Sequence, residues 1–153
     1  MNNKLGLCYF KMQDVEKKLI NFKLNLLDET YTFNCDLFSV NYLISLHKFL
    51  FQDIYEHDYL GLITINDVEY DYLEILLKDL ETLCRNKDID KILNMIEAIW
   101  HYQPFIIGNT RTMIAYLKII NECFLLDIPV DVNSSIESSP KMFKLQHMLT
   151  KKG

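Results

Sequence analysis

The chain has 153 residues, the length of one domain with one core, and half of them are hydrophobic, with only four Gly and three Pro, a balance that favours helices over turn-rich β folds. A formal net charge of -5 argues against gripping nucleic acid by bulk electrostatics, because phosphate binding leaves a basic footprint. No stretch reaches the roughly 18 consecutive apolar residues that span a bilayer, so the expectation is one soluble, cytoplasmic, mainly helical domain over residues 1–153 with neither nucleic acid nor membrane as partner.

Val15, Leu19, Phe22 and Leu26 recur at helical spacing behind Asp14 and predict a first helix to about Leu27, followed by an irregular connection from Asp28 to Asp36. Ser39 is placed to cap a second helix whose apolar face is Val40, Leu43, Ile44, Leu46, Leu50 and Ile54, ending near Glu56. From Leu60 to Tyr70 the pattern changes: Leu62, Ile63 and Ile65 precede Asn66-Asp67, and Val68 and Tyr70 follow, which predicts a short β-hairpin.

A third helix is expected from about Asp71 to Arg85, and a fourth, capped by Asp88, carries Ile89, Ile92, Leu93, Ile96, Ile99 and Trp100 on its apolar face. It stops near Gln103 because Pro104 disfavours the α conformation in the residue before it. Beyond Gly108-Asn109 a strongly apolar helix with Ile114, Leu117, Ile120, Asn121, Phe124 and Leu125 spread around it runs toward Pro129 and is expected at the centre of a bundle. The 134–140 stretch reads as a loop, and a short amphipathic helix on Phe143, Leu145 and Met148 closes the chain. Cys8, Cys35, Cys84 and Cys123 are scattered without zinc or disulfide spacing and read as reduced, largely buried thiols.

The stretch from Gln103 to Thr112 is the one that could carry chemistry, since it is a loop opening onto the start of a helix. The first amides of a helix have no intrahelical partner and favour an anion, Gly108 lets the backbone come close, and Arg111 can add a cationic fork. The plainer reading is a helix cap with a surface arginine. His47 and His57, on or beside an apolar helix, read as satisfied structural residues.

Gln103-Pro104-Phe105-Ile106-Ile107-Gly108-Asn109-Thr110-Arg111-Thr112 resembles the motif of Fic (Fido) proteins, His-Pro-Phe-x-Asp/Glu-Gly-Asn-x-Arg, in the form of small bacterial members that ends Gly-Asn-Thr-Arg-Thr. His47 to Glu56, containing Leu50-Phe51-Gln52-Asp53-Ile54-Tyr55-Glu56, is similar to the helix that precedes that motif, and Asn3-Lys4-Leu5-Gly6-Leu7 is similar to the start of short members. Three departures stand out: Gln103 for the histidine, Ile107 for the acid, and His57 to Gly61 in place of a Trp-Ala-Gly segment.

The resemblance implies an all-α Fic bundle with a short β-hairpin flap, and an ancestry among enzymes that transfer AMP from ATP to protein hydroxyls. It assigns nucleotide contacts to Gly108, Asn109, Thr110 and Arg111, and docking of an extended protein target to Leu62, Ile63, Thr64 and Ile65 of the flap by strand addition. It also makes Gln103 and Ile107 the decisive changes. An amide cannot act as a general base near neutral pH, a role worth typically 10²–10⁴-fold, and an alkyl side chain cannot hold Mg²⁺. His101 lies about 200° around the helix from Gln103 and cannot stand in, Ile114 occupies the place of a second motif arginine, and the family's inhibitory Ser/Thr-x-x-x-Glu signature is not found. Two readings follow: a pseudoenzyme or interaction module that can bind ATP without a protein-held Mg²⁺, and an active AMP or related phosphate-group transferase with a base-poor mechanism.

Overall fold

The computed structural model describes residues 15–26, apart from 17 and 24, and residues 33–128. The expected loop at 134–140 and the helix on Phe143, Leu145 and Met148 lie outside the described residues, as do Cys8, the Asn3 to Leu7 segment, and the ends proposed for the first helix.

Among the described residues the architecture is helical, as composition and periodicity lead one to expect. Helix α1 lies within 15–26, and α2 (Val40–Phe51), α3 (Asp67–Arg85), α4 (Ile89–His101) and α5 (Asn109–Phe124) follow, with a single turn of 3₁₀ helix at His57–Tyr59 between α2 and α3. Helix α5 is the hub: Asn109 to Leu117, Ile119 and Ile120 are all buried, and it packs against α2, α3 and α4. The core around it is one continuous cluster that includes Leu43, Leu46, Leu50, Leu77, Leu80, Ile96, Trp100 and Tyr116.

The ends of the helices follow from local chemistry. Ser39 caps α2 as predicted, its Oγ accepting from the Tyr42 amide at 3.2 Å. Glu74 of α3 adds a second acceptor to that end, taking the Val40 amide at 2.9 Å and so pinning α3 to the start of α2. Helix α2 ends at Phe51, a turn short of Glu56, although the Ile54 and Tyr55 amides still reach the Phe51 carbonyl. Asp88 occupies the N-cap position of α4 but gives no side-chain cap; its carboxylate lies 3.6 Å from Lys91 Nζ instead. Helix α5 stops at Phe124, before Pro129, because Leu125 turns left-handed and the Asn121 side chain takes both the amide and the carbonyl of Ile128.

The expected hairpin over Leu60 to Tyr70 is replaced by two different elements. Asn66 and Glu69 form a reciprocal capping box, Asn66 Oδ1 accepting from the Glu69 amide at 2.8 Å and Glu69 Oε1 from the Asn66 amide at 3.2 Å. That box starts α3 at Asp67, so Val68 and Tyr70 are helical and the third helix begins four residues before Asp71. Leu62 to Thr64 pairs instead with the loop that follows α4: the Thr64 amide donates to the Pro104 carbonyl at 2.9 Å and the Ile106 amide to the Leu62 carbonyl at 3.4 Å, around an isolated antiparallel bridge between Ile63 and Phe105, and Ile65 lies in a bend.

The inward face of α1 also differs from the expected stripe. Phe22 is 59% exposed, while Glu16, Ile20 and Lys23 are buried. The reason is electrostatic: Glu16 and Lys23 meet opposite charges, Arg111 and Asp53, on the elements behind them, and Lys23 Nζ stands 4.8 Å over the Phe49 ring.

Candidate functional site

The motif loop lies between the end of α4 and the start of α5, and its own side chains tie it together. Gln103 adopts a positive φ of 48°. Its Nε2 donates to the Trp100 carbonyl at 3.1 Å and its Oε1 accepts from Asn109 Nδ2 at 3.2 Å. Gln103 is thus a C-terminal cap for α4. Asn109 completes the fold of the loop, since its Oδ1 accepts from the Phe105 amide at 2.9 Å and its Nδ2 donates to the Phe105 carbonyl at 2.8 Å. Thr110 Oγ1, buried beneath, accepts from the Trp100 indole at 2.9 Å and joins the first turn of α5 to the last turn of α4.

Gly108 has a residue-specific reason to be glycine. It sits at φ 79°, in the left-handed region, and a Cβ there would fall 2.7 Å from the Phe51 ring. The close approach sets the loop on α2, and His47 holds it there. His47 Nδ1 accepts from the Gly61 amide at 2.9 Å, which requires the proton on Nε2, and Nε2 donates to the Ile107 carbonyl at 2.8 Å. The ring stacks on Phe105, centroids 4.3 Å apart. Burial pushes the imidazole down to about 4, against the opposing pull of the Ile107 carbonyl.

His47 is therefore a structural residue, as its apolar surroundings predict, yet it joins α2, the motif loop and the start of the extended segment. His57 is in the exposed turn that follows, and His101 is half exposed with Glu97 at 3.7 Å.

Arg111 is neither a surface residue nor an open fork. It is buried and its Nε donates to Glu16 Oε1 of α1 at 2.7 Å, while Tyr55 donates to Glu16 Oε2 at 3.3 Å. Burial raises the Glu16 carboxyl above its ordinary value, opposed by Arg111 and the Tyr55 hydroxyl. Arg111 Nη1 is buried and lacks a hydrogen-bond partner among the described residues. Glu16 was outside the predicted site; only its position one residue off the apolar stripe of α1 hints that it could turn inward.

The structure thus brings together Gln103, Ile107, Gly108, Asn109, Thr110 and Arg111 at one loop. Ile107 is half-buried against the core, and Ile114 is part of the core itself. Leu62 to Ile65 lie alongside, with Leu62 and Ile106 each 42% exposed on the outer surface. Among the described residues no group of three or more His, Cys, Asp or Glu could hold a metal ion, and no helix is long and apolar enough to cross a membrane. Cys84 is buried, as expected, whereas Cys123 is exposed. No model of a known protein family matches the chain, and no curated protein matches it either.

Proposed function

We propose that this chain is a Fic-like pseudoenzyme, a cytoplasmic binding module in which the loop that transfers AMP in active relatives has become a brace for the helical core. One observation carries the reading. The amide at the base position is engaged at both ends, by the Trp100 carbonyl and by Asn109, and the imidazole that braces the loop, His47, has both ring nitrogens in hydrogen bonds. Among the described residues no group at the loop is left to take a proton from a hydroxyl near neutral pH.

For a ligand there remains the start of α5, whose first amides have no intrahelical partner and lie at the positive end of its dipole, but Asn109 to Thr112 are buried and Arg111 is held by Glu16, so a phosphate reaches them only where the loop opens. An ATP phosphate meeting those amides would be bound weakly and with little dependence on Mg²⁺, because Ile107 offers no oxygen ligand. A protein segment would add to the edge of Leu62, Ile63, Thr64 and Ile65 opposite the one paired with the motif loop. A base-poor AMP transferase is the second reading, and the observation in its favour is Arg111 Nη1, a buried donor awaiting an acceptor.

Transfer of label from ATP to the chain or to lysate proteins separates the two. The expected result is no transfer, with ATP binding that changes little when Mg²⁺ is removed; strong labelling abolished by Arg111→Ala overturns the pseudoenzyme reading. The double variant Gln103→His, Ile107→Glu tests the family assignment, which predicts that transfer appears once both groups are restored.

A further inference from the structure

The outer side of the α3–α4 pair carries an apolar groove that the motif loop does not use. Leu76, Asp79 and Leu83 of α3 face Lys91, Met95 and Ala98 of α4 across a hollow of about 580 Å³. Apolar surface continues from it along α3 through Ile75 and Tyr72, which are 56% and 47% exposed. Tyr72, near the start of α3, meets Tyr102 at the end of α4 with ring centroids 5.9 Å apart. With the short 86–88 connection, that contact makes the helices antiparallel, with Leu83 level with Lys91 and Asp79 level with Met95.

A contiguous apolar surface of this kind on a folded chain marks a place where something docks, and two antiparallel helices sharing an apolar seam are half of a four-helix bundle. The charges indicate what supplies the other half. The groove holds one acid, on α3, and one base, on α4. A two-fold axis running along the groove seats α3 of each copy on α4 of the other, with every neighbouring pair antiparallel. Asp79 then stands roughly 6 Å along the helix axis, about one turn, from Lys91 of the second copy. A lysine side chain spans that gap, and symmetry makes the contact twice. Lys91 is loosely held within the single chain, where its partner Asp88 lies 3.6 Å away and Lys91 itself is largely exposed.

We propose that the α3–α4 groove is a homodimer interface, closed by the same groove of a second copy and kept in register by reciprocal Asp79–Lys91 pairs. The inference does not rest on the functional reading of the motif loop, because none of its residues belongs to that loop. Sedimentation equilibrium of the full chain is expected to show a reversible dimer. Asp79→Lys and Lys91→Asp each replace two attractive contacts with two repulsive ones, so each alone should weaken dimerisation by at least about ten-fold. Both positions are exposed, and unchanged helical circular dichroism confirms that each variant folds.

Mixing the two single variants is the decisive step. In the mixed dimer the lysine introduced at position 79 of one chain faces the aspartate introduced at position 91 of the other, and the native Lys91 and Asp79 face each other on the second side. Dimer should therefore return on mixing, although each variant alone is monomeric. A wild-type chain that stays monomeric at about 100 µM, where even a weak dimer is populated, overturns the proposal. So does a dimer indifferent to both substitutions, or a mixture that stays monomeric; a captured partner of another kind on a monomeric chain would count the same way.

Discussion

Acidification should weaken the fold through His47. Its imidazole is neutral in the folded chain, with a pKa of about 4, against about 6.5 when exposed. Between those values the unfolded chain binds the extra proton and the folded chain does not, so stability rises with pH and is lost as pH falls from about 6.5 to about 4. The full difference corresponds to about 3 kcal/mol, most of it expressed by about pH 4.5. The structural cause is that a proton on Nδ1 removes the acceptor for the Gly61 amide and places a charge among Phe51 and Phe105.

Urea unfolding followed by the fluorescence of Trp100, the one tryptophan and a buried one, measures the effect at pH 7 and pH 4.5. With a urea slope in the usual range, the wild-type midpoint should fall by about 1–2 M over that interval beyond the fall in His47→Gln, which does not titrate there. Subtracting the variant removes the shared contributions of other groups. Glu16, whose carboxyl is raised, works in the opposite direction as pH falls, and Asp36, whose carboxyl is lowered by Lys78 and the Phe38 amide, works in the same direction. Equal midpoint shifts in the two proteins would refute the assignment of a buried, neutral imidazole.

Three further outcomes test the loop. Gly108→Ala should destabilise the chain by roughly 1–3 kcal/mol in thermal or urea unfolding, since the methyl group meets the Phe51 ring and the backbone is left-handed. Asn109→Ala leaves the buried Phe105 amide without its acceptor and should cost about 1–3 kcal/mol, and Asn109→Asp, which keeps that acceptor but turns an oxygen toward the Phe105 carbonyl and Gln103 Oε1, should cost no less. Glu16→Gln leaves the Arg111 charge without a carboxylate and should destabilise by about 3 kcal/mol. Millimolar inorganic phosphate should then raise the melting temperature of this variant more than that of wild type; an equal response would show that Arg111 does not face an anion-accessible position.

Helices α2, α4 and α5 were legible because each carries a long apolar face and a punctuating residue, Ser39, Pro104 or Gly108, at its end. The 60–70 segment carries two conflicting signals. Asn66-Asp67 between apolar runs carries the signal of a hairpin turn, while Asn66 with Glu69 carries the signal of a helix start, and the choice depends on whether Leu62 to Ile65 finds a strand partner next to it or some forty residues away. The loop between α4 and α5 is locatable from Pro104 and Gly108, but the engagement of its side chains is not. Which way Arg111 points is decided by Glu16 and Tyr55, residues distant in sequence whose inward facing follows from packing and not from periodicity. The same holds for Lys23, a charged residue buried where an amphipathic reading of α1 puts a polar surface.

The His47 contacts also carry a statement about the order of folding. Helices α3 and α4 adjoin in the chain and can meet early, by closing only a short connection. The Ile107 carbonyl lies 60 residues from His47, so this contact, unlike the local bonds within the loop, forms only once α2 has docked beside it. The Gly61 amide, held by the same ring, should exchange with deuterium only through openings that part the 57–61 turn from α2, and its protection reports directly on how firmly that turn is held.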